Sequence, residues 1–303
     1  MSLPAYVLIT PARNEAAFIE LTLKSVVAQT VLPLKWVIVS DGSTDGTDEL
    51  VEQYAVTHPW IELVRMPERR ERHFAGKVHA FNAGYQRVAG LPYEIIANLD
   101  GDVSFDPDYF EFLLVKFVEN PRLGVGGTPF REGAFQYDFR FTSIEHVSGQ
   151  CQVFRRACFE DIGGYKPRKA GGVDLVAVTT ARMKGWQTRT FLEKPYIHHR
   201  TMSTATHHPL LVPFRGGRLD YILGSHPLWE VFRCMYQTTR PPIVVGGLLR
   251  MAGFVWAAVS GVEKEIPPEL LRFRRKEQLR RVTEFAGRFL PHAGAPERRT
   301  RTP

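Results

Sequence analysis

The chain has 303 residues, 44% hydrophobic and 23% charged, enough to bury one large core or a core with an extension. Its net charge is +7, but residues 261–303 alone hold 11 Lys/Arg against 6 Asp/Glu, so the body is near neutral and the tail basic. Three cysteines (Cys151, Cys158, Cys234) give neither a disulfide framework nor a metal spacing, and no nucleic-acid motif or basic–aromatic face occurs; a disulfide scaffold and a nucleic-acid binder are therefore excluded. Met1 to Ala5 runs straight into a strand, which predicts no signal peptide and, with reduced thiols, a cytoplasmic chain.

Tyr6 to Thr10 reads as a buried strand ending at Pro11-Ala12-Arg13-Asn14-Glu15. A helix follows, with Ile19, Leu23, Val26 and Val27 on one face. Trp36 to Ser40 is a second strand, and Asp41 to Thr47 a turn in which Asp45 or Thr47 can cap the next helix. Ile61 to Val64 is a third strand. The charged run Glu68 to Phe74 leads to Gly76-Lys77 and a helix over Val78 to Val88. Strands alternating with helices predict a parallel, doubly wound α/β sheet.

Ile95 to Leu99 is an apolar strand that climbs to Asp100-Gly101-Asp102, with Gly101 free to turn sharply. Such strands end at the edge where open α/β sheets bind ligands. Two carboxylates one residue apart repel each other unless something positive lies between them. A hard divalent cation that keeps its waters and bridges to phosphate is the usual solution. Beyond it come a helix over Tyr109 to Val118, a strand over Leu123 to Thr128, and an irregular aromatic stretch at 130–148. Phe130, Phe135, Phe139 and Phe141 stand there with Arg131 and Arg140, which predicts a loop and helix lining an acceptor cleft. A strand at Gln152 to Arg156, a short helix to Ile162, a loop at Lys169 to Asp174 and a helix over Leu175 to Lys184 complete the fold. Thr188 to Leu192 is a last strand, followed by Tyr196-Ile197-His198-His199-Arg200.

In this order the motifs resemble those of family 2 glycosyltransferases with the GT-A fold, over roughly residues 5 to 200. Pro11 to Glu15 is similar to the family's P-x-x-N-E turn, and Asp41 to Thr47 to its D-x-S-x-D-x-T turn. Gly76-Lys77 with Phe81-Asn82-Ala83-Gly84 is similar to its G-K-x-x-x-L-N-x-G helix, with Phe81 for leucine. Asp100-Gly101-Asp102 stands at its D-x-D. The resemblance implies a Rossmann-like, mostly parallel sheet flanked by helices. It implies a transferase domain over 1–208, with a nucleotide-sugar half to about 105 and an acceptor half beyond, and a helical extension over 209–303.

It further implies a nucleotide-sugar site of Pro11, Arg13, Glu15, Asp41, Lys77 and Asp100, with a UDP-linked donor favoured. Asp41 can accept the imide N–H of uracil, Glu15 can accept from base or ribose, and Lys77 can reach a diphosphate. A divalent cation, Mn²⁺ or Mg²⁺, would sit on Asp102 with His198 or His199 as a neutral imidazole ligand. The family's base is the second residue of an E-D pair before a helix. Here the pair is Val173-Asp174, so Asp174 takes that role, with helix N-cap as its other reading. The family's Q-x-x-R-W motif of processive synthases is missing, which argues for transfer of a single sugar. His207 and His208 read as structural or solvated.

Two rivals remain. A nucleotidyltransferase needs a glycine-rich loop after the first strand, and Pro11 to Glu15 has no glycine. An inactive scaffold on the same fold is favoured only by Val173. The tail adds a partner: His226 to Phe232 begins an amphipathic helix, and Ile243 to Gly261 is apolar apart from Arg250. With four glycines in that run, a hairpin lying in the membrane interface is expected, followed by basic residues. The chain is then a peripheral protein of the inner membrane face, acting on a lipid-linked or cell-surface glycan. The other reading of this segment is a helical subdomain packed on the core.

Overall fold

The computed structural model describes residues 2–68, 74–133, 135–136, 142–200, 210–240 and 243–287. The expectations for Arg69 to His73, Phe139, Arg140, Phe141, His207 and His208 lie outside these residues. The chain divides into two compact units, Met1–Pro209 and Leu210–Pro303.

Unit one begins β1 (Tyr6–Ala12), α1 (Ile19–Val27), β2 (Lys35–Asp41), α2 (Thr47–Thr57), β3 (Ile61–Met66), α3 (Phe74–Val88) and β4 (Ile95–Leu99). It continues β5 (Val103–Ser104), α4 (Tyr109–Glu119), β6 (Leu123–Gly127), β7 (Phe130–Glu132), β8 (Phe135–Gln136) and β9 (Cys151–Arg155). It closes with α5 (Arg156–Asp161), α6 (Val173–Met183), β10 (Gln187–Thr190) and β11 (Tyr196–His198). The main sheet has the order β10-β6-β9-β4-β1-β2-β3. Every neighbouring pair is parallel except those of β9, which runs against β4 and β6. This is the expected mostly parallel α/β sheet.

Strand alternation explains why both faces are covered. Leu8, Ile38 and Ala97 join one apolar cluster, in which Ile19, Leu23 and Phe117 from helices also pack. Val7, Ile9, Val37, Val39 and Ile96 join the other, with Val78, Phe81 and Val178. Continuous apolar runs in the sequence are thus two alternating sets, one per face. Phe81 fills an aromatic cluster, 4.8 Å from the Tyr165 ring at an edge-to-face angle. Gly84 lets α3 close on the sheet, since a Cβ there would lie 2.7 Å from Ile9 Cγ2.

Several boundaries differ from the expectations. β1 runs on through Pro11, which pairs with Val39 of β2. Its ladder with β4 has already stopped at Ile9, so the missing N–H of Pro11 leaves no gap on that side. α3 starts at Phe74 and takes Gly76-Lys77 into its first turn. The strand before the two aspartates ends at Leu99, which leaves them at its tip. Asp100-Gly101-Asp102 then joins the main sheet to a second, of order β5-β11-β7-β8. Gly101 is outside the left-handed region, so this turn does not use the freedom glycine offers. Among the described residues of 130–148 there are short strands and turns but no helix.

Unit two is helical: α7 (Leu211–Ile222), α8 (Pro227–Gln237), α9 (Val245–Val259) and α10 (Pro268–Gly287). His226 caps α8 by accepting from the Leu228 N–H. The expected hairpin at 243–261 is one 15-residue helix. Its glycines are places of close approach rather than breaks. A Cβ at Gly253 would fall 2.0 Å from the Phe214 carbonyl oxygen, and one at Gly247 would fall 2.5 Å from that of Cys234. Among the described residues no helix is long and apolar enough to cross a membrane.

Candidate active site

The site lies where β1, β2 and β4 end. The two turns after β1 and β2 are laced together by their motif residues. Asn14 adopts a left-handed φ of 55°, which asparagine tolerates better than most residues. Its side chain accepts the Thr44 N–H, and its own N–H donates to Ser43 Oγ. The Glu15 N–H donates to Thr47 Oγ1, and the Ala16 N–H to Asp45 Oδ2. Ser43, Asp45 and Thr47 therefore serve the turn. Gly46, with φ 94°, is the N-cap of α2, and neither Asp45 nor Thr47 holds that position. The lacing leaves Asp41, at the tip of β2 and 6% exposed, beside Arg13, whose Nη1 is 3.8 Å from Asp41 Oδ2.

Lys77, in the first turn of α3, reaches across to Asp100, with Nζ 2.5 Å from Oδ1. Asn98 Nδ2 bonds the same oxygen and the Gly149 carbonyl. Asp174 is set against Gly149, where a Cβ would lie 2.9 Å from Asp174 Cβ. The N-cap of α6 is Gly172, so Asp174 stands in the first turn and does not cap the helix.

Strand pairing builds the other half. The antiparallel register of β5 and β11 places His198 opposite Val103, next to Asp102. The parallel register of β7 and β11 sets Ile197 against Arg131, which brings Glu132 level with His198. The imidazole then lies between two carboxylates, with Nε2 3.4 Å from Asp102 Oδ2 and Nδ1 2.7 Å from Glu132 Oε2. His199 points elsewhere: its Nε2 is 2.8 Å from Ser104 Oγ, and its ring stacks on Phe18. Arg200 pairs with Glu15, and its Nε is 3.4 Å from Asp102 Oδ2.

The charges are strongly coupled. Burial, then Asp102, lifts the Glu15 carboxyl to about 7 against the pull of Arg200. Burial also raises Asp100, with Asp102 adding to it and Lys77 opposing. Asp102 goes the other way: burial would raise it, but His198, Lys77 and Arg200 together hold it below the usual carboxylate range. Burial disfavours a charge on His198, yet Asp102 and Glu132 outweigh it and raise the imidazole above its ordinary value. Burial lowers His199. Burial opposes the Lys77 charge, and Asp100 with help from Asp102 and Asp174 keeps it raised.

One atom fits a bound cation. Asp102 Oδ1 is buried and has no hydrogen-bond partner among the described residues. A carboxylate oxygen in that state costs free energy unless a ligand meets it. Among the described residues no three His, Cys, Asp or Glu side chains form a complete cage. A cation here would take its remaining ligands from water and substrate oxygens.

Glu132 and Arg200 belong to this cluster and did not emerge from the sequence. Arg200 follows the two histidines and could have been found by its position. Glu132 could not, because only the β7–β11 pairing brings it to His198.

Comparison with known proteins agrees with the geometry. Residues 7–163, about half of the chain, match the family described as glycosyl transferase family 2. Poly-beta-1,6-N-acetyl-D-glucosamine synthase of Staphylococcus epidermidis is 25% identical over 170 residues, 50% of this chain and 39% of that protein. The synthase of the same name from Staphylococcus aureus strain COL is 32% identical over 136 residues, 45% of this chain and 31% of that one. The matched stretch thus spans well under half the length of these relatives.

Among solved structures, S. aureus TarS 1–349 in complex with UDP-GlcNAc gives a TM-score of 0.57 at 15% identity, covering 95% of this chain and 93% of that one. The Pyrobaculum calidifontis mannosyltransferase with GDP-Man and Mn²⁺ gives 0.56 at 19%, covering 94% and 81%. These likenesses show the GT-A fold. The chain belongs to glycosyl transferase family 2.

Proposed function

We propose that this enzyme moves a single sugar, with inversion, from a nucleotide sugar to a hydroxyl of a lipid-linked or cell-surface glycan. The observation that carries this is the convergence of Asp100, Asp102, Lys77, His198 and Asp174 on one sheet edge, with Asp102 Oδ1 left unpartnered. Residues 1–105 hold the donor and 106–208 the acceptor. Asp41, Arg13, Pro11 and Glu15 line the nucleotide end, and Asp100 and Lys77 the diphosphate. A UDP-linked donor is favoured by the Asp41 carboxylate at the tip of β2, which can accept a uracil imide N–H, and by the UDP-GlcNAc and UDP complexes of TarS.

Asp102 and His198 would hold a divalent cation, Mn²⁺ or Mg²⁺; His199, turned to Ser104, is placed to support rather than to ligate. Such an ion supplies Lewis-acid stabilisation of the departing diphosphate, and Mn²⁺ accompanies GDP-Man in the Pyrobaculum mannosyltransferase. Lys77 brings a second positive charge to the same oxygens and exchanges Asp100 for them when the donor enters. Asp174 accepts the proton of the acceptor hydroxyl as the new bond forms. Resemblance to the poly-beta-1,6-N-acetyl-D-glucosamine synthases favours an acceptor in polysaccharide assembly. Unit two holds the protein at the inner membrane face as a peripheral protein.

The test is a thermal-shift panel of UDP, GDP, CMP and dTDP with Mn²⁺, Mg²⁺ or chelator. A ligand that binds only the folded state raises its stability by mass action. Stabilisation by UDP that chelator removes is the expected result. No shift with any nucleotide, in folded protein, would overturn the donor assignment.

A further inference from the structure

α9 is apolar on its outer face as well as its inner one. Its one charged residue, Arg250, points into unit two and meets Asp220 and Glu230. Its outward stripe, at helical spacing, is Val245, Leu248, Ala252, Val255 and Val259, all exposed and all apolar. Leu248 is 65% exposed and Val259 78%. α8 carries a second stripe of Leu228, Val231 and Met235. A helix whose outside is water has the opposite pattern, and apolar surface of this extent marks a binding face.

Charge decides the occupant. Between residues 210 and 262 the only acids are Asp220 and Glu230, which are 5% and 0% exposed. The charges left outside in this stretch are cations, with Arg215 and Arg218 exposed, and exposed acids return only beyond it, at Glu263 and Glu265. Arg218 lies over the Trp256 ring at 5.4 Å, and Arg240 over Tyr236 at 5.2 Å. An aromatic ring with a cation against it, at the rim of an apolar face, suits the headgroup zone of a bilayer. A second copy of this surface would set cations against cations. At 15 residues α9 is too short to span a bilayer and long enough to lie along one.

We propose that the exposed stripe of α9 docks on a lipid leaflet rich in anionic headgroups, with Leu248, Val255 and Val259 entering the acyl boundary and Arg218 meeting lipid phosphate. This names the face and the lipid class for the membrane contact proposed above, and it does not depend on the sugar chemistry.

The experiment is co-sedimentation of the full chain with vesicles of phosphatidylcholine alone or of equal parts phosphatidylcholine and phosphatidylglycerol. The chain should pellet with the anionic vesicles and stay in solution with the neutral ones. Leu248→Glu/Val255→Glu should weaken binding by about tenfold or more, since both apolar contacts are lost. Both positions are exposed, so the circular dichroism melt should be unchanged; Leu248→Ala/Val255→Ala, which adds no charge, should give a smaller loss. Equal binding to both vesicle types would overturn the anionic preference. No binding to either, or full binding by the Glu variant, would overturn the docking face. A lipid-free dimer that the Glu variant dissolves would overturn it in favour of a second copy. None of these readouts uses a nucleotide, so failure here leaves the donor assignment standing, and the converse holds.

Discussion

Two clusters of buried charge stand in this chain, and they balance in opposite directions. In unit one, Glu15, Asp100, Asp102, Glu132 and Asp174 face Lys77, Arg200 and the imidazole of His198. Acid is in excess, and one Asp102 oxygen is without a partner. In unit two, Asp220 and Glu230 face Arg233, Arg250 and Arg274. Asp220 accepts from Arg233 at 2.6 Å and from Arg250, and Arg250 also donates to Glu230 at 3.0 Å. Arg274 donates to the Leu223 carbonyl and to Ser225. The second cluster holds helices together, with Glu230 Oε2 its one buried oxygen that lacks a hydrogen bond among the described residues. The first keeps an excess of acid that a cation from outside would offset. A surplus of acid, more than burial as such, marks the first as a candidate cation site.

The comparison can be broken most sharply at the site. Asp102→Ala should reduce sugar transfer by more than about a thousandfold and abolish the chelator-sensitive nucleotide shift, with the melt otherwise intact. Asp174→Asn should cost about 10²- to 10⁴-fold in turnover, yet keep the nucleotide shift, because the base acts on the acceptor. Turnover retained by either variant would sink its assignment.

In unit two the expected loss is of stability. Arg250→Met leaves Asp220 and Glu230 without their shared donor and should lower unfolding free energy by about 3–5 kcal/mol in urea. The nucleotide shift should survive. A smaller expected effect concerns Glu132. Glu132→Gln weakens the hold on His198 Nδ1, and Mn²⁺ affinity read by calorimetry should fall by about tenfold; unchanged affinity would make Glu132 merely structural.

The smallest effect is a pH dependence. Burial, then Asp220, lifts the Glu230 carboxyl to about 7. A raised acid favours its protonated form in the fold, so its ionisation erodes stability as pH rises from about 4.5 through 7. Glu230→Gln should therefore gain on the parent at pH 8 and not at pH 4. A constant difference across that range would refute it.

The sheet was legible because buried parallel strands write themselves as apolar runs with a polar tip. Tyr6 to Thr10, Trp36 to Ser40 and Ile95 to Leu99 each ended within two residues of the structure. The nearness of Lys77, Asp100 and Asp174 was not readable from spacing and came from resemblance of the ordered motifs. The Glu132–His198 contact spans 66 residues through a three-residue strand, too short to leave a pattern. In unit two, glycine was read as a breaker of helices. Gly253 and Gly247 instead admit neighbouring backbones, a role that only the packed neighbours reveal.

β9 runs against its neighbours, so the segment from Thr128 to Gln150 leaves the main sheet and returns to it at one edge. Gly127, where it leaves, would put a Cβ 3.0 Å from the Cys151 carbonyl, where it returns. The excursion is tied into the site at both ends, since Glu132 reaches His198 and Gly149 packs against Asp174. An exchange of this insert therefore has to keep those two residues in place, whatever else in it changes.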